Sequence, residues 1–408
     1  MSAPTLQVLV GFQTTTGFAT PFQLDNATYG LLGTGTLGGF QMVDVTDQVQ
    51  SVAITRGRNR EMEQFNAGTA VVTFYDPLRK FDPLNTASVY YPFIEPRQPI
   101  QILAGGVSLY VGVIADWNLD YGYTAAGDVT TVNCSDNFTV LANQSMVAWT
   151  PVAQLSGARV SAVLTRPDVV YQGAYAVQAG SSTLGAFDVA AGTNVLTYLQ
   201  TVTASERGFL FIDAAGTLTF LGRLAAINTV DSIAFTDAGA GVPYQSLENQ
   251  FGDELLYNSV QAQSPAGDVQ SVEDATSVAQ YQAQQYSKLD LLNSTTSEVL
   301  ALANSILGQY RNPVLRFTAV TTQLAALSDA DQAAVLGADL VDTVSVEKSF
   351  DSGAPASVTQ TTTVSGISHT ITPGSHVVKL TLESVDQRAF LTLDSAVLGI
   401  LDTNLLAF

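Results

Sequence analysis

Charged residues are scarce in this sequence. Only 13% of its 408 residues are Asp, Glu, Lys or Arg, whereas about 25% is usual for a soluble domain. The few charges are unbalanced, because 36 acids against 16 cations give a net charge of −20. A nucleic-acid-binding protein would carry a basic surface, so that class is disfavoured. The low charge density indicates that uncharged polar residues or partner proteins cover much of the surface.

Cysteine and histidine are also rare, and this limits the metal chemistry that the chain can support. Cys134 is the single cysteine, which excludes an internal disulfide and any site built from several cysteines. In an alternating strand it is expected to be a small buried side chain rather than a nucleophile. The two histidines, His369 and His376, are predicted on neighbouring strands without an obvious third ligand. We therefore favour solvated or packed imidazoles over a metal site, and expect no metal and no cofactor.

Long apolar runs and catalytic motifs are missing as well. No apolar run reaches the roughly 20 residues that a membrane-spanning helix needs, and no cationic segment of a signal peptide precedes the first apolar run. Walker, GxSxG and HExxH motifs are absent from the sequence. The acid pairs Asp116 with Asp120 and Asp253 with Glu254 have the composition of a glycosidase site, but loop acids in an acidic chain are usually exposed. We therefore predict no catalytic residues and no enzymatic activity.

The abundant residues favour strands and turns. Thr, Ser, Gln, Asn, Val, Tyr and Phe are frequent, and 32 glycines and 14 prolines fit many short connections. A chain of this length is expected to form two or three domains. The predicted fold is mostly β with smaller α/β parts, and consists of antiparallel β-barrel domains with an inserted helix-and-hairpin module. The predicted divisions are an N-terminal β-barrel domain with a basic hairpin over 1–155, the helix-and-hairpin module over 156–235, a second barrel-like domain with helices over 236–390, and a C-terminal docking tail over 391–408.

Local patterns place individual elements within this plan. The predicted helices and hairpin are, in chain order, a helix capped by Ser156, a helix from about Asn194 to Arg207, a hairpin from Phe209 to Phe220, a short helix at TSVAQYQ, and a helix capped by Thr295 or Thr296 that stops at Asn312-Pro313. Further strands are predicted at 315–320, 342–346, 360–370 and 376–383, and the glycines between 30 and 39 are predicted to form a loop between strands.

A basic hairpin stands out against the acidic background. Between residues 52 and 83, two strand-like runs flank a large share of the cations, namely Arg56, Arg58, Arg60, Arg79 and Lys80. The second run ends in two Asp-Pro steps, where proline blocks further strand pairing. Side chains in a strand alternate with period two, so Arg56, Arg58 and Arg60 would share one face.

Two interpretations of these arginines are open. They are either exposed, unpaired residues of a strand face, or they contact acidic surfaces of another copy or another protein. We favour the second, since a guanidinium binds a carboxylate through two parallel hydrogen bonds and the chain carries 36 acids. Arg56, Arg58, Arg60 and Arg79 are therefore the candidate subunit-interface residues. Charge reversal of Arg56 and Arg58 would then block assembly and leave the monomer folded.

The basic hairpin also carries a resemblance to a known family. The run from Ile54 to Pro83 resembles the opening segment of minor tail proteins of long-tailed bacteriophages, including tail-tip or baseplate hub proteins. The resemblance rests on a strand ending in Arg-Gly-Arg at 56–58, a Phe-x-Ala-Gly-Thr-Ala stretch at 65–70, and an Asp-x-x-x-x-Phe-x-Pro segment at 76–83. Further matches follow in order, at 109–112 with Trp117, 156–160, 208–223, 243–244, 257–258, 312–313, 366–369 and 398–402.

The resemblance implies a structural virion protein. A hub of this family is expected to form a homo-oligomeric ring at the end of the tail tube, with a trimer favoured and a hexamer possible. The implied partners are the distal tail protein, the tape-measure protein and other tail-tip proteins, while phage DNA passes through the lumen without specific binding. The implied location is the tail tip of the virion, after synthesis in the host cytoplasm. The alternatives are a distal tail adaptor ring, a tail-associated cell-wall hydrolase, or a carbohydrate-binding protein.

Overall fold

The structure is a computed structural model that describes residues 2–13, 40–124, 127–225 and 231–384. Strands account for 41% and helices for 18% of the chain, so the predicted mostly-β class is confirmed. The glycine loop at 30–39 and the docking tail at 391–408 lie outside the described residues.

The strands are numbered here in chain order. Those of the first half are β1 (Leu6–Gln13), β2 (Phe40–Asp44), β3 (Val49–Gly57), β4 (Asn66–Tyr75), β5 (Pro99–Ala104), β6 (Val107–Asp120), β7 (Val129–Ser135), β8 (Ser145–Met146), β9 (Gln154–Leu155), β10 (Tyr175–Val177), β11 (Thr183–Leu184) and β12 (Thr193–Asn194). Those of the second half are β13 (Phe209–Ile212), β14 (Leu218–Leu221), β15 (Ile233–Thr236), β16 (Val242–Pro243), β17 (Ser246–Gln250), β18 (Ser259–Ala262), β19 (Gln270–Glu273), β20 (Gln285–Lys288), β21 (Arg316–Gln323), β22 (Thr343–Ser349), β23 (Ser357–Thr372) and β24 (Ser375–Ser384).

Fourteen of these strands form one large sheet. Its main path runs β16-β15-β22-β23-β3-β4-β7-β6-β5-β1-β2, and β24 continues from β23 to β21 and β17. The long strand β23 makes the branch, because its first half pairs with β22 and its second half with β3, while β24 lies along its other edge. The described strands close into no barrel, so the predicted β-barrels are not confirmed. Strands from the predicted regions 1–155 and 236–390 instead pair directly through β3 and β23.

Alternating burial explains why these segments form strands. In β5, residues Ile100, Ile102 and Ala104 are buried and alternate with half-buried residues. In β3, Val52 and Ile54 point into the core, where they lie opposite Val72 and Ala70 of β4. One face of each strand is therefore committed to the core, which fixes the register, since a slip of one residue would expose every apolar side chain.

The described residues form six α-helices beside the large sheet and four smaller sheets. They are α1 (Phe138–Ala142), α2 (Ser156–Leu164), α3 (Val195–Glu206), α4 (Ala275–Tyr281), α5 (Thr296–Tyr310) and α6 (Asp329–Gly337). The predicted helix-and-hairpin order is confirmed, with α2 and α3 followed by the β13–β14 hairpin. Ser156 is the first residue of α2 rather than its cap, and its hydroxyl donates to Glu206 at 2.8 Å. Helix α6 was not predicted, although Ser328 caps it by accepting from the backbone N–H of Asp331.

Two hydrophobic clusters hold the described part together. The larger one joins the big sheet to α1, α2, α3 and the β13–β14 hairpin. The smaller one lies between α5 and the sheet β19-β18-β20, around Val260, Leu291 and Ile306. Within the described ranges, no helix is both long enough and apolar enough to cross a membrane.

Candidate functional site at the basic hairpin

The basic hairpin forms as predicted, but its arginines do not share a strand face. Strand β3 ends at Gly57, so Arg56 alone of the first three lies within the strand. Gly57 has a φ of +98°, and a Cβ there would lie 2.3 Å from the backbone oxygen of Ser365. This close approach to β23 favours glycine. It turns the chain out of the sheet before Arg58 and Arg60, which corrects the one-face prediction.

Arg56 points into the protein. It continues the buried face of Val52 and Ile54 and is only 4% exposed. Its Nη1 donates to Asp339 Oδ1 at 2.7 Å, and the other oxygen of that carboxylate accepts from the backbone N–H of Ala214 at 2.9 Å. The pair therefore links β3 to the segment after α6 and to the turn of the β13–β14 hairpin. Its acidic partner belongs to the same chain, contrary to the predicted contact with a neighbour.

Arg58 is also paired within its own chain. Its Nη2 donates to both oxygens of Glu383, at 2.6 and 2.7 Å, and its Nη1 donates to the backbone oxygen of Glu63 at 2.7 Å. The guanidinium lies 4.6 Å from the ring centroid of Phe65 and 5.9 Å from that of Phe209. A planar guanidinium that stacks on two aromatic rings while its two terminal nitrogens donate to different partners is a geometry that lysine could not reproduce. Arg58 thus fixes the hairpin loop onto the end of β24.

A buried acid lies beside this pair. The carboxylate of Glu61 accepts hydrogen bonds from Tyr310 Oη and Ser384 Oγ, and Arg316 Nε lies 3.9 Å away. Burial, reinforced by the neighbouring Glu383, raises the pKa of Glu61. Burial together with Glu61 raises the pKa of the Tyr310 hydroxyl. The cluster connects the hairpin loop to α5, β21 and β24.

A cavity of about 410 Å³ opens next to this cluster. The end of α3 contributes Arg207, whose φ of +58° terminates the helix and whose guanidinium donates to Ser305 and Gln309 of α5. The apolar side chains that line the cavity are Met62, Phe65, Phe209, Leu224, Leu302 and Ile306. Most of the charged side chains around it have hydrogen-bond or ion-pair partners within the chain. The side chains around the cavity therefore connect the hairpin loop, α3 and α5, and their arrangement suggests no reaction.

Arg60 and Arg79 differ from the other two arginines because they face solvent. The side chain of Arg60 is 67% exposed and pairs with Glu254 at 2.9 Å. The side chain of Arg79 is 45% exposed and pairs with Asp82, which is itself almost fully buried. Both could reach a second chain, so the predicted interface role stays a prediction for these two residues.

The Asp-x-x-x-x-Phe-x-Pro segment has a structural explanation. The buried carboxylate of Asp76 accepts from the backbone N–H groups of Lys80 at 2.6 Å and Phe81 at 2.9 Å, which closes the turn after β4. The Phe81 ring is fully buried, with ring centroids of Tyr90 at 5.3 Å and Trp117 at 5.8 Å. The segment therefore forms a turn held from both ends, by a charge-assisted cap and by an aromatic stack.

The two histidines pack against each other. His369 Nδ1 lies 3.0 Å from His376 Nε2, and both side chains are buried. Burial lowers the pKa of both, and that of His376 falls to about 4. Of the solvated or packed imidazoles that the sequence favoured over a metal site, the structure shows the packed arrangement. Within the described ranges, no group of three or more His, Cys, Asp or Glu is placed to hold a metal ion.

The other sequence candidates are separated from the hairpin cluster. Asp116 and Asp120 are exposed residues of β6, and Asp253 and Glu254 are exposed in the turn after β17. Cys134 is buried in β7, and burial raises the pKa of its thiol, which disfavours the reactive thiolate.

Sequence reasoning missed the residues that complete the cluster. These are Glu61, Arg207, Tyr310, Asp339 and Glu383. One signal was present, because the period of β3 places Arg56 in line with Val52 and Ile54 on the face that must be buried. A buried arginine is expected to have a partner, but the sequence does not show which of 36 acids it is.

Comparisons with known proteins identify the fold. No family model and no curated protein matches the sequence. Among solved structures, the chain is similar to a tail protein from Neisseria meningitidis MC58, with 10% identity over 85% of this chain and 94% of that one and a TM-score of 0.54. It is similar to the 43 kDa tail protein of prophage MuSo2 from Shewanella oneidensis, with 11% identity over 93% and 98% and a TM-score of 0.56. It is also similar to prophage tail protein gp18 from Listeria monocytogenes EGD-e, with 11% identity over 92% and 94% and a TM-score of 0.50.

These similarities extend over most of this chain and of each similar protein, although only about one residue in ten is identical. The chain therefore has the fold of phage tail proteins. The resemblance that the hairpin motifs indicated is confirmed at the level of the fold.

Proposed function

We propose that this chain is a structural protein of a phage tail, and that it forms the ring at the tail tip known as the baseplate hub. The observation that carries the proposal is the similarity to the prophage MuSo2 tail protein over 93% of this chain and 98% of that one. Because little of either chain lies outside the shared region, the similarity concerns the fold as a whole rather than a single domain.

The internal bonding of the molecule is consistent with a protein that transmits force. Two ion pairs with buried or nearly buried arginines connect segments far apart in sequence, namely Arg56 with Asp339 and Arg58 with Glu383. Buried pairs of this kind are often no more stabilising than apolar packing, but they specify one arrangement of the elements they join. A tail component has to keep its shape while DNA passes and while force is transmitted to its neighbours, so a uniquely fixed arrangement would be useful.

The finer parts of the proposal concern assembly. A homotrimer is favoured, with the distal tail, tape-measure and other tail-tip proteins as partners, and with phage DNA passing through the lumen without specific binding. The chain as a whole is acidic, with a net charge of −20. If acidic residues line the inner wall of the ring, that wall would repel the DNA backbone.

Native mass measurement together with electron microscopy of the purified protein tests this function. We expect rings of three copies, and we expect gold-labelled antibodies against the chain to bind the tail tip of intact virions. A sixfold ring would favour the distal tail adaptor instead. A protein that stays monomeric at all concentrations and is absent from purified virions would contradict the proposal. Release of sugars or peptides from host cell walls would favour the hydrolase.

A further inference from the structure

We propose that the segment of residues 385–408, which follows β24, binds back onto its own chain. Its apolar stretch over 390–393, Phe-Leu-Thr-Leu, fills the cavity of about 410 Å³ between the hairpin loop, α3 and α5. The contact lies within one chain, so it can be tested whether or not the protein forms a ring.

The cavity has the size and lining of a site for apolar side chains. A cavity of about 150 Å³ with aliphatic and aromatic walls is large enough for benzene. A volume of 410 Å³ therefore has room for roughly two or three side chains of that size. In its wall, Met62 and Phe209 are half-buried and Leu224 is 41% exposed. An apolar occupant would remove this remaining area from water, which is favourable.

Strand β24 brings the segment to this cavity. The last two residues of the strand, Glu383 and Ser384, belong to the cavity wall. Glu383 is held by Arg58, and Ser384 Oγ donates to the carboxylate of Glu61 at 3.3 Å. Phe390 follows Ser384 by six residues, which can span up to about 20 Å. Because the segment is covalently attached, its effective concentration at the cavity is roughly millimolar, an advantage that a partner from solution does not have.

The composition of the segment fits an apolar cavity. Of its 24 residues, 14 are Ala, Val, Ile, Leu or Phe, and only four are charged. Phe390, Leu391 and Leu393 are its first cluster of large apolar side chains. Their number matches the space in the cavity, so this cluster is the part of the segment that we assign to it.

The charges of the cavity wall favour an acid beside the apolar cluster. Three of the four cations in the wall form ion pairs, namely Arg58 with Glu383, Arg223 with Glu206, and Lys288 with Asp290. The fourth cation, Arg207, is half-buried and donates to the neutral oxygens of Ser305 and Gln309. Of the three acids in the wall, Glu61 and Glu383 are bonded as described above, and Glu63 is exposed.

Asp394 supplies the acid that Arg207 would accept as a partner. It directly follows Leu393, so binding of the apolar cluster brings its carboxylate to the cavity. A hydrogen bond between a guanidinium and a carboxylate is about twice as strong as one between neutral groups. The pair would therefore fix the direction in which the segment lies.

Disulfide cross-linking of the full chain tests the contact. Leu224→Cys is combined in turn with Phe390→Cys, Leu391→Cys and Leu393→Cys. The native Cys134 is buried and does not compete. The matched control replaces Leu224→Cys by Phe251→Cys, since Phe251 is 70% exposed and lies outside the cavity wall. A disulfide requires Cα atoms within about 7 Å, so under mild oxidation we expect at least one pair with Leu224→Cys to close within the chain at least tenfold faster than its control.

Mass spectrometry of the monomer and dimer bands separates the possible results. If all three pairs react no faster than their controls, the segment does not fill the cavity and the proposal is refuted. If the disulfides instead join two chains, with a yield that rises with protein concentration, the contact within one chain is refuted and the occupant is the segment of a second copy.

The charge contact is tested in the fastest cross-linking pair. Asp394→Asn should slow the reaction at least threefold at low salt, whereas Asp402→Asn, which removes the same charge farther along the segment, should leave it unchanged. High salt should slow the parent pair towards the rate of Asp394→Asn, because screening weakens an ion pair. Equal rates for Asp394→Asn and Asp402→Asn would contradict the pairing with Arg207 and the direction of the segment that it fixes.

Discussion

The buried pair between Arg56 and Asp339 predicts an asymmetric response to mutation. The Arg56 side chain is 3% exposed, whereas that of Asp339 is 28% exposed. Removal of the acid by Asp339→Ala leaves a cation in the core without its carboxylate, and this should lower the free energy of unfolding by about 3–5 kcal/mol. Removal of the cation by Arg56→Met leaves an acid that is partly hydrated and still accepts from the backbone N–H groups of Ala214 and Leu340. That variant should lose only about 1–2 kcal/mol.

Urea unfolding of the single variants and of the double variant measures this asymmetry. The double variant contains no buried unpaired charge, so it should be more stable than Asp339→Ala alone. The physical argument is refuted if Arg56→Met is the more damaging single change, or if adding it to Asp339→Ala brings no recovery. The same geometry revises the expectation from sequence, because charge reversal at Arg56 or Arg58 should now destabilise the monomer itself. Assembly of such variants would then be lost through unfolding rather than through a missing contact with a neighbour.

Two further predictions concern the same region of the fold. Gly57→Ala should lower the free energy of unfolding by about 2 kcal/mol or more, because the new Cβ meets a backbone oxygen in β23 and the φ of Gly57 is positive. The control is Gly106→Ala, at a residue that also has a positive φ but has open space around it. Equal losses of unfolding free energy in the two variants would contradict the steric argument. Burial raises the pKa of Asp136 from 3.8 to about 6 although it accepts from the N–H groups of Gly68 and Phe138. A raised pKa means that the folded state binds the proton more tightly than the unfolded state, so this contribution is fully present below about pH 4 and is lost as the pH rises through about 6, by up to about 3 kcal/mol. Urea unfolding of the wild type relative to Asp136→Asn should show that decline, and a flat difference between pH 4 and 7 would refute it.

The local elements were largely predictable because their signals are local. Helix α3 runs between the predicted Asn194 and Arg207, and α5 begins after the predicted cap Thr295. Strands β21 to β24 lie where alternating residues placed them, with ends that shift by a few residues. Helix α6 was missed although its start signals are local, since Ser328 caps it and the acids of its first turn, Asp329 and Asp331, favour a helix N-terminus.

The connection between distant segments was not predictable from local patterns. The barrel expectation is not confirmed, and alternation could not decide it, because alternation specifies which residues face the core but not which strand edges meet. Strand β23 pairs with β3 across more than 300 residues of sequence, and that pairing makes one sheet of two predicted domains. The proposed division into domains therefore stays a prediction about folding units rather than about separate sheets.

The sequence by itself determined that the chain is rich in strands, that its cations concentrate at one hairpin, and that its motifs resemble those of phage tail proteins. Only the tertiary structure decided what the arginines do. Arg56 and Arg58 are neutralised by Asp339 and Glu383, which lie 283 and 325 positions away in the chain. The physical reason is that a buried charge requires a partner within bonding distance, and which acid comes within that distance depends on how the strands pair. The same folding leaves Arg60 and Arg79 at the surface, where a second chain can reach them.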